Sequence, residues 1–252
     1  MPASTDEVRS FLDSYLSIHK IPDYPNALNG LQVEGRKAVT RVATAVDACQ
    51  ATINRAVEIG AELLIVHHGL FWAGLEPVTG RHAARLRRLL ASRTALYSAH
   101  LPLDLHPEVG NNVLLAAMMG LQGLEGFGEF EGVTIGVVGA VQVELGTLVG
   151  QLENALDTHA HVIAAGPSRT NRVGVISGGA GNMIAAARAA GVDTFVTGEG
   201  AHHTHFDAEE WGMNVVYAGH YATETVGVRA LGERVAAQFG LACEFIDHPT
   251  GL

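Results

Sequence analysis

Apolar residues recur at helical intervals in Val8, Phe11, Leu12, Tyr15 and Leu16, which predicts an amphipathic helix at the start of the chain. Ser4 and Glu7 have the spacing of a capping box at its N-terminus. The helix is expected to end before Pro22, and Asn29-Gly30 marks a turn. The period then changes. Residues 41–46 read as a short β-rich run, 51–59 as a helix closed by Gly60, and 63–66 as a buried strand. This is a βαβ unit, and a helix over 82–92, a strand over 95–99 and a helix over 112–119 extend it.

Five glycines among the 13 residues 120–132 separate this set of elements from a second one, placing a lobe boundary near residue 125. The expected lobes are 1–125 and 126–252. The second lobe reads as a strand over 133–143, a helix over 145–156, and a strand over 172–176 entering a glycine-rich turn at 177–181. A helix over 183–190, a strand over 194–197, a helix over 204–211 and a strand over 214–218 follow. A helix over 226–239 and a strand around 244–246 close the chain.

A shift of 131 residues pairs Arg41-Val42 with Arg172-Val173, Ile53 with Ile184, Ala56 with Ala187 and Gly60 with Gly191 without a gap. That is a structural-repeat hypothesis. A shift of 120 sets Tyr97-Ser-Ala-His100 beside Tyr217-Ala-Gly-His220, and Asp104 opposite Glu224. Each half then carries a histidine, and a carboxylate four residues later, just past a strand end. In α/β sheets, sites form at such carboxyl ends.

Composition narrows the chemistry. The 252 residues carry 26 Asp plus Glu against 16 Lys plus Arg, a formal charge of −10, and 48% apolar residues. This is a globular composition whose acidity argues against bulk nucleic-acid or anionic-membrane binding. Arg81, Arg85, Arg87 and Arg88 come nearest to a basic strip and are read as a solvated helix face. Cys49 and Cys243 lie far apart without a CxxC, leaving neither a disulfide framework nor a thiolate zinc cluster. With no leader pattern and no run of 18 apolar residues, a soluble cytoplasmic protein is expected.

The 13 histidines direct attention to where imidazoles gather. His67-His68 closes an apolar strand, and a turn at Gly69 would let both rings bend toward one site although adjacent strand residues point to opposite faces. Pro102 makes 100–104 an extended loop in this reading, and helical geometry is expected from about Ala222, leaving His220 on the preceding loop. Three imidazoles and two carboxylates form a hard-to-borderline N/O set suited to Zn, Mn, Fe, Co or Ni. Five ligands exceed one open tetrahedral site and suit two divalent ions sharing a carboxylate, a natural device for hydrolysis.

His100 either orients a metal ligand from behind or shuttles a proton, and an orienting or structural role is preferred over catalysis. Glu199 faces the pocket or makes a salt bridge. For Ser177-Gly-Gly-Ala-Gly181 a tight turn is preferred over a phosphate cradle. His202, His203 and His205 are expected to be solvent-exposed. Trp72 and Tyr221 are packing residues by default, with stacking on a planar base as the alternative.

The motifs Asn29-Gly-Leu-Gln-Val-Glu-Gly35, Val66-His-His-Gly69 with Phe71-Trp72, His100-Leu-Pro-Leu-Asp104 with Gly110-Asn-Asn112, Thr197-Gly-Glu199 and Ala218-Gly-His220 with Thr223-Glu224 resemble the Nif-three-like family. That family includes proteins called GTP cyclohydrolase I type two. The resemblance runs from about residue 6 to 248 in motif order. It implies an α/β fold of two pseudo-symmetric lobes with mixed sheets, and a dinuclear metal site in the cleft between them. It also implies a ring-shaped homohexamer with the sites facing its interior. The family's ligands fall on His67, His68, Asp104, His220 and Glu224, with Glu224 the bridge between two divalent ions per subunit. Phe206 stands where many relatives have histidine, a departure that touches substrate contacts of that helix and not the metals. The resemblance points to a metal-dependent hydrolase of a small nucleotide or phosphoester, with a metal-binding regulatory or metal-handling protein as the alternative.

Overall fold

The computed structural model describes residues 2–252. The chain begins with β1 (Ala3–Ser4), α1 (Thr5–Tyr15), β2 (Gly30–Val33), β3 (Ala38–Val39), β4 (Arg41–Asp47), α2 (Gln50–Glu58), β5 (Leu63–His68), α3 (Gly80–Ser92) and β6 (Ala95–Ser98). The middle holds α4 (Leu101–Asp104), α5 (Asn111–Met118), β7 (Gln122–Phe130), β8 (Val133–Glu144), α6 (Leu145–Leu156), β9 (His161–Ala164) and β10 (Arg169–Val175). It ends with α7 (Ile184–Ala189), β11 (Thr194–Thr197), α8 (Thr204–Trp211), β12 (Asn214–Tyr217), α9 (His220–Phe239) and β13 (Ala242–Phe245). Ser4 N–H donates to Glu7 Oε2 at 3.0 Å, closing half of the capping box that the sequence signalled.

These elements form two compact α/β units. One comprises the chain up to Leu103 with Gly227–His248, the other Asp104–Val226 with Pro249–Leu252. The division therefore falls at 103/104 and 226/227, not near residue 125. Leu115 and Ala116 of α5 pack in one core with Leu148, Leu152, Val173 and Val196 of the second unit, which draws 104–125 into it. The last turns of α9 and strand β13 return to the first sheet, where β13 runs parallel to β4.

In the first unit the five-stranded sheet has the order β13-β4-β5-β6-β2, parallel except for β2 at the edge. Ala43, Ala45, Leu64, Val66 and Leu96 pack beneath Ile53 and Ala56 of α2 and Leu89 of α3. The second unit has a six-stranded mixed sheet in the order β7-β8-β10-β11-β12-β9, with β10, β11 and β12 parallel. Val196 and Val216 face Leu148 and Leu152 of α6, while Phe195 and Val215 face Ile184 and Ala187 of α7. Alternation at period two thus buries both faces, as a parallel sheet between helices requires.

The repeat is real in the strand plan and differs in one register. Strands β2, β4 and β5 match β9, β10 and β11 at a shift of 131, since Val42 pairs with Leu63 and Val173 with Thr194. Glu62 and Asp193, one such pair, do the same work: Glu62 Oε2 accepts from Thr40 and Arg41 N–H, and Asp193 Oδ2 from Asn171 and Arg172 N–H. For β6 and β12 the shift is 119, because Leu63 pairs with Ala95 and Thr194 with Asn214. Tyr217 therefore corresponds to Ser98, and His100 and His220 are not equivalent positions.

Several expected elements change. The glycine-rich 120–132 segment is largely strand β7, antiparallel to β8 with a register shift between Gln122 and Glu125; edge position and positive φ at Gly123 and Gly128 accommodate the glycines. The edge strands β2 and β9 are short and only partly buried, so they lack the continuous apolar run that reveals the equally short but buried β6, β11 and β12. Pro102 does not extend 100–104 but sits at the start of helix α4, where its missing N–H costs nothing. Helix α9 begins at His220 itself, two residues before the helical geometry expected from about Ala222 and six before the helix read from 226, so His220 lies in the helix rather than on the preceding loop and shares it with Glu224 at i and i+4.

Candidate metal centre

In the first unit, β5 delivers His67 and His68 at its last two positions. Their rings lie 4.7 Å apart between centroids, and the ring of His100 lies 4.9 Å from His67 and 5.7 Å from His68. One nitrogen from each of the three rings falls within 4.8 Å of the others. The strand ends at His68, so the alternation that would part the rings is not enforced beyond it. A side chain at Gly69 would run into the Gln32 carboxamide, which accepts Leu70 N–H and donates to Ala27 and Leu28 carbonyls.

Each ring is held through Nδ1. His67 Nδ1 lies 3.0 Å from the Ala99 carbonyl, His68 Nδ1 2.9 Å from Asp47 Oδ1, and His100 Nδ1 2.8 Å from Asp23 Oδ1. A carbonyl or carboxylate oxygen only accepts, so Nδ1 carries a proton in each ring, the anchoring that a histidine binding metal through Nε2 uses. Asp47 reaches His68 because β4 and β5 place them in register. Asp23 also accepts from Tyr24 N–H, Leu101 N–H and the Asn29 amide. Burial pushes its carboxyl up, but the hydrogen bonds and charge of His100, then those of Asn29 and Tyr24, outweigh this and hold it below the ordinary value.

In the second unit Asp104 is buried at the end of α4, and its Oδ1 accepts from Asn111 Nδ2 at 2.7 Å and Ser177 Oγ at 3.1 Å. Asn112 Oδ1 accepts from Ser177 N–H, and its amide donates to the Ile135 carbonyl. His220 Nδ1 lies 2.8 Å from Glu199 Oε1 and its Nε2 3.2 Å from Glu224 Oε1. Glu224 is 3% exposed. Burial disfavours the charged His220 ring, yet the carboxylates of Glu224 and Glu199 prevail and hold the imidazolium up to about 9.

Gly178 lies against this pair at φ +67°, and a Cβ there would strike Glu224 Oε1. The turn it belongs to spends its amides inside the protein: Ser177, Gly178, Ala180 and Gly181 N–H donate to Asn112, Thr223, Thr197 and Glu199 respectively. It is a tight turn rather than a phosphate cradle. His202, His203 and His205 are exposed, as expected.

The donor chemistry fits a divalent metal. The grouped donors are imidazole nitrogens and carboxylates, the rings are anchored through Nδ1 by oxygen acceptors, and two carboxylates, Asp104 and Glu224, are buried among hydrogen bonds. His67, His68 and His100 in one unit, and His220 with Glu224 in the other, are groups that could hold an ion. Sequence reasoning passed over the holders Asp23 and Asp47, and met Asn29, Asn111 and Asn112 only as letters of motifs, with no holding role assigned. For Asp47 the signal existed, since it directly follows the strand read over 41–46, whose βαβ partner leads into His67-His68.

Two α/β units built on one strand plan, with N/O donor groups at strand exits that could hold a metal ion, define an α/β protein of repeated architecture. The family follows from comparison: residues 3–250 match Duf34/NIF3 (NGG1p interacting factor 3), and the chain belongs to that family. It is 43% identical over 249 residues to a GTP cyclohydrolase 1 type 2 homolog of Deinococcus radiodurans, covering 98% of this chain and 94% of that one. It is 45% identical over 250 residues to the homolog of Pyrococcus abyssi, covering 98% and 99%. Its fold matches TTHA1606 from Thermus thermophilus with a TM-score of 0.91 at 41% identity, covering 99% and 100% of the two chains. Among the described residues, no helix is long and apolar enough to cross a membrane.

Proposed function

We propose that the protein is a dinuclear-metal hydrolase acting on a small nucleotide or phosphoester, with ring opening of a GTP-like substrate suggested by the name its relatives carry. In this reading His67, His68, Asp104, His220 and Glu224 hold two divalent ions in one centre, with Glu224 as the shared carboxylate. The observation that carries it is the anchoring of four imidazoles through Nδ1 by oxygen acceptors, which orients the rings so that Nε2 is the position from which each would bind a metal or exchange a proton. When bound, two such ions acidify a water and supply hydroxide at neutral pH.

The chain's own residues do the rest. His100 takes up a proton at Nε2 and passes it on, while ionised Asp23 keeps Nδ1 protonated and stabilises the imidazolium. Asn111 and Ser177 hold Asp104 through its Oδ1. Gly178 lets the turn backbone close over Glu224. By the same resemblance the protein acts as a ring-shaped homohexamer in the cytoplasm, and light scattering of the purified protein tests the assembly.

The deciding experiment is turnover of GTP and of general phosphoesters by protein of confirmed metal content, set beside Asp104→Ala. Loss of turnover in the variant supports the hydrolase. Full metal occupancy with rapid metal exchange and no turnover of either substrate class supports the metal-handling alternative instead.

A further inference from the structure

A half-exposed tyrosine and a tryptophan stand against the histidine group of the first unit. Tyr24, 48% exposed, has its ring 6.0 Å from that of His100 and 6.1 Å from that of Trp72. Trp72 meets His100 edge-on at 4.8 Å and His68 at 5.8 Å. Two polar side chains lock the loops bearing these rings. Asn26 Nδ2 donates to the Trp72 carbonyl, and Gln32 bridges Ala27 and Leu28 on one loop to Leu70 on the other. Tyr24 N–H donates to Asp23 Oδ1, the same atom that holds His100. The aromatic wall is thus built and fixed to the imidazoles.

Charge decides what such a wall receives. The segments that carry it and its histidines, 21–35, 56–80 and 94–112, contain no Lys or Arg. A phosphate group pairs best with guanidinium or ammonium, whereas a planar ring gains from an aromatic face whatever its charge.

Resting on the hydrolase reading and naming its substrate class, we propose that the site binds a planar nitrogen heterocycle against Tyr24 and Trp72, recognising the ring rather than a phosphate. This favours ring-directed over phosphoester hydrolysis.

The test uses zinc-loaded protein carrying Trp211→Phe, which leaves Trp72 the only indole. Inosine, inosine 5′-monophosphate and tripolyphosphate are titrated against Trp72 fluorescence. The expected result is saturable change with inosine and its monophosphate at affinities within about threefold, and neither response nor displacement by tripolyphosphate. Tyr24→Ala should weaken inosine by about tenfold and Tyr24→Phe by less than about threefold, at unchanged zinc content. A second readout needs no variant: saturation transferred from protein to inosine should reach the base protons more strongly than the ribose protons. Displacement of the monophosphate by tripolyphosphate, a silent inosine titration, or equal inosine affinity in Tyr24→Ala overturns the proposal. Ring binding without turnover would sink the hydrolase reading and leave this site standing; turnover with inosine silent would do the reverse.

Discussion

Asp23 accepts the Nδ1 proton of His100 at 2.8 Å with one oxygen and the N–H of Leu101, the next residue, at 2.9 Å with the other. One buried carboxylate therefore sets both the ring of His100 and the start of the helix that ends in Asp104. In Asp23→Asn, one accepting oxygen becomes a donor facing donors, which costs about 1–3 kcal/mol. Urea unfolding at pH 7 should show that loss. The folded carboxyl lies below its ordinary value, so its stabilisation is complete above 3.8 and fades as pH falls through the depressed value. The gap between the two proteins should close in strong acid, and a gap independent of pH would contradict the role.

His100 and His68 separate ligand from proton carrier. His68→Ala should lower bound metal by about one ion per chain, since an anchored imidazole is lost. His100→Ala should keep metal and reduce turnover by roughly 10²–10⁴-fold, the range of a general acid or base. Metal analysis on both variants decides. Equal metal loss in the two would make His100 a ligand.

The His220 ring in the metal-free protein carries its proton up to about 9. Proton and metal compete for Nε2, so metal affinity should rise with pH until about 9 and binding should release protons. For the metal-free fold the sign is opposite: the ring's stabilisation is complete below the ordinary histidine value of 6.5 and is lost as pH rises through about 9. Titration calorimetry in buffers of different ionisation enthalpy measures the proton count. Zero protons released at a pH of about 7.5 would count against His220 as a ligand.

Gly178→Ala adds a methyl at positive φ and directly against Glu224. Strain and displacement of the carboxylate together should cost roughly 1–3 kcal/mol and reduce metal binding. Equilibrium dialysis of metal and thermal unfolding would check both, and a variant with wild-type values in each would show that Glu224 does not depend on the turn.

The sequence disclosed elements with strong periods: α1 with its Ser4–Glu7 cap, the apolar strand ending in His67-His68, and the βαβ order of each unit. Strands β2 and β9 escaped because short, partly buried edge strands lack a continuous apolar run, and β7 because five glycines read as a linker until the sheet pairs them. The boundary near 125 failed for a related reason: composition shifts mark loops, whereas the cores formed by Leu115 and by α9 mark units. The five positions proposed as ligands were read from motifs. Their holders were not, because Asp23 and Asp47 are ordinary acids among 26 until folding brings each to an imidazole. The 120-residue alignment of His100 with His220 was a likeness of letters, off by one from the sheet register.

The proposed function stands on a centre of two ions that His67, His68, Asp104, His220 and Glu224 would share. A crystal of protein purified without added metal, measured at wavelengths on either side of each metal's absorption edge, tests it directly. Two anomalous peaks about 3.5–4 Å apart, ligated by those five side chains with Glu224 touching both, are predicted. A single ion, or ions bound without Asp104 and Glu224, would contradict it.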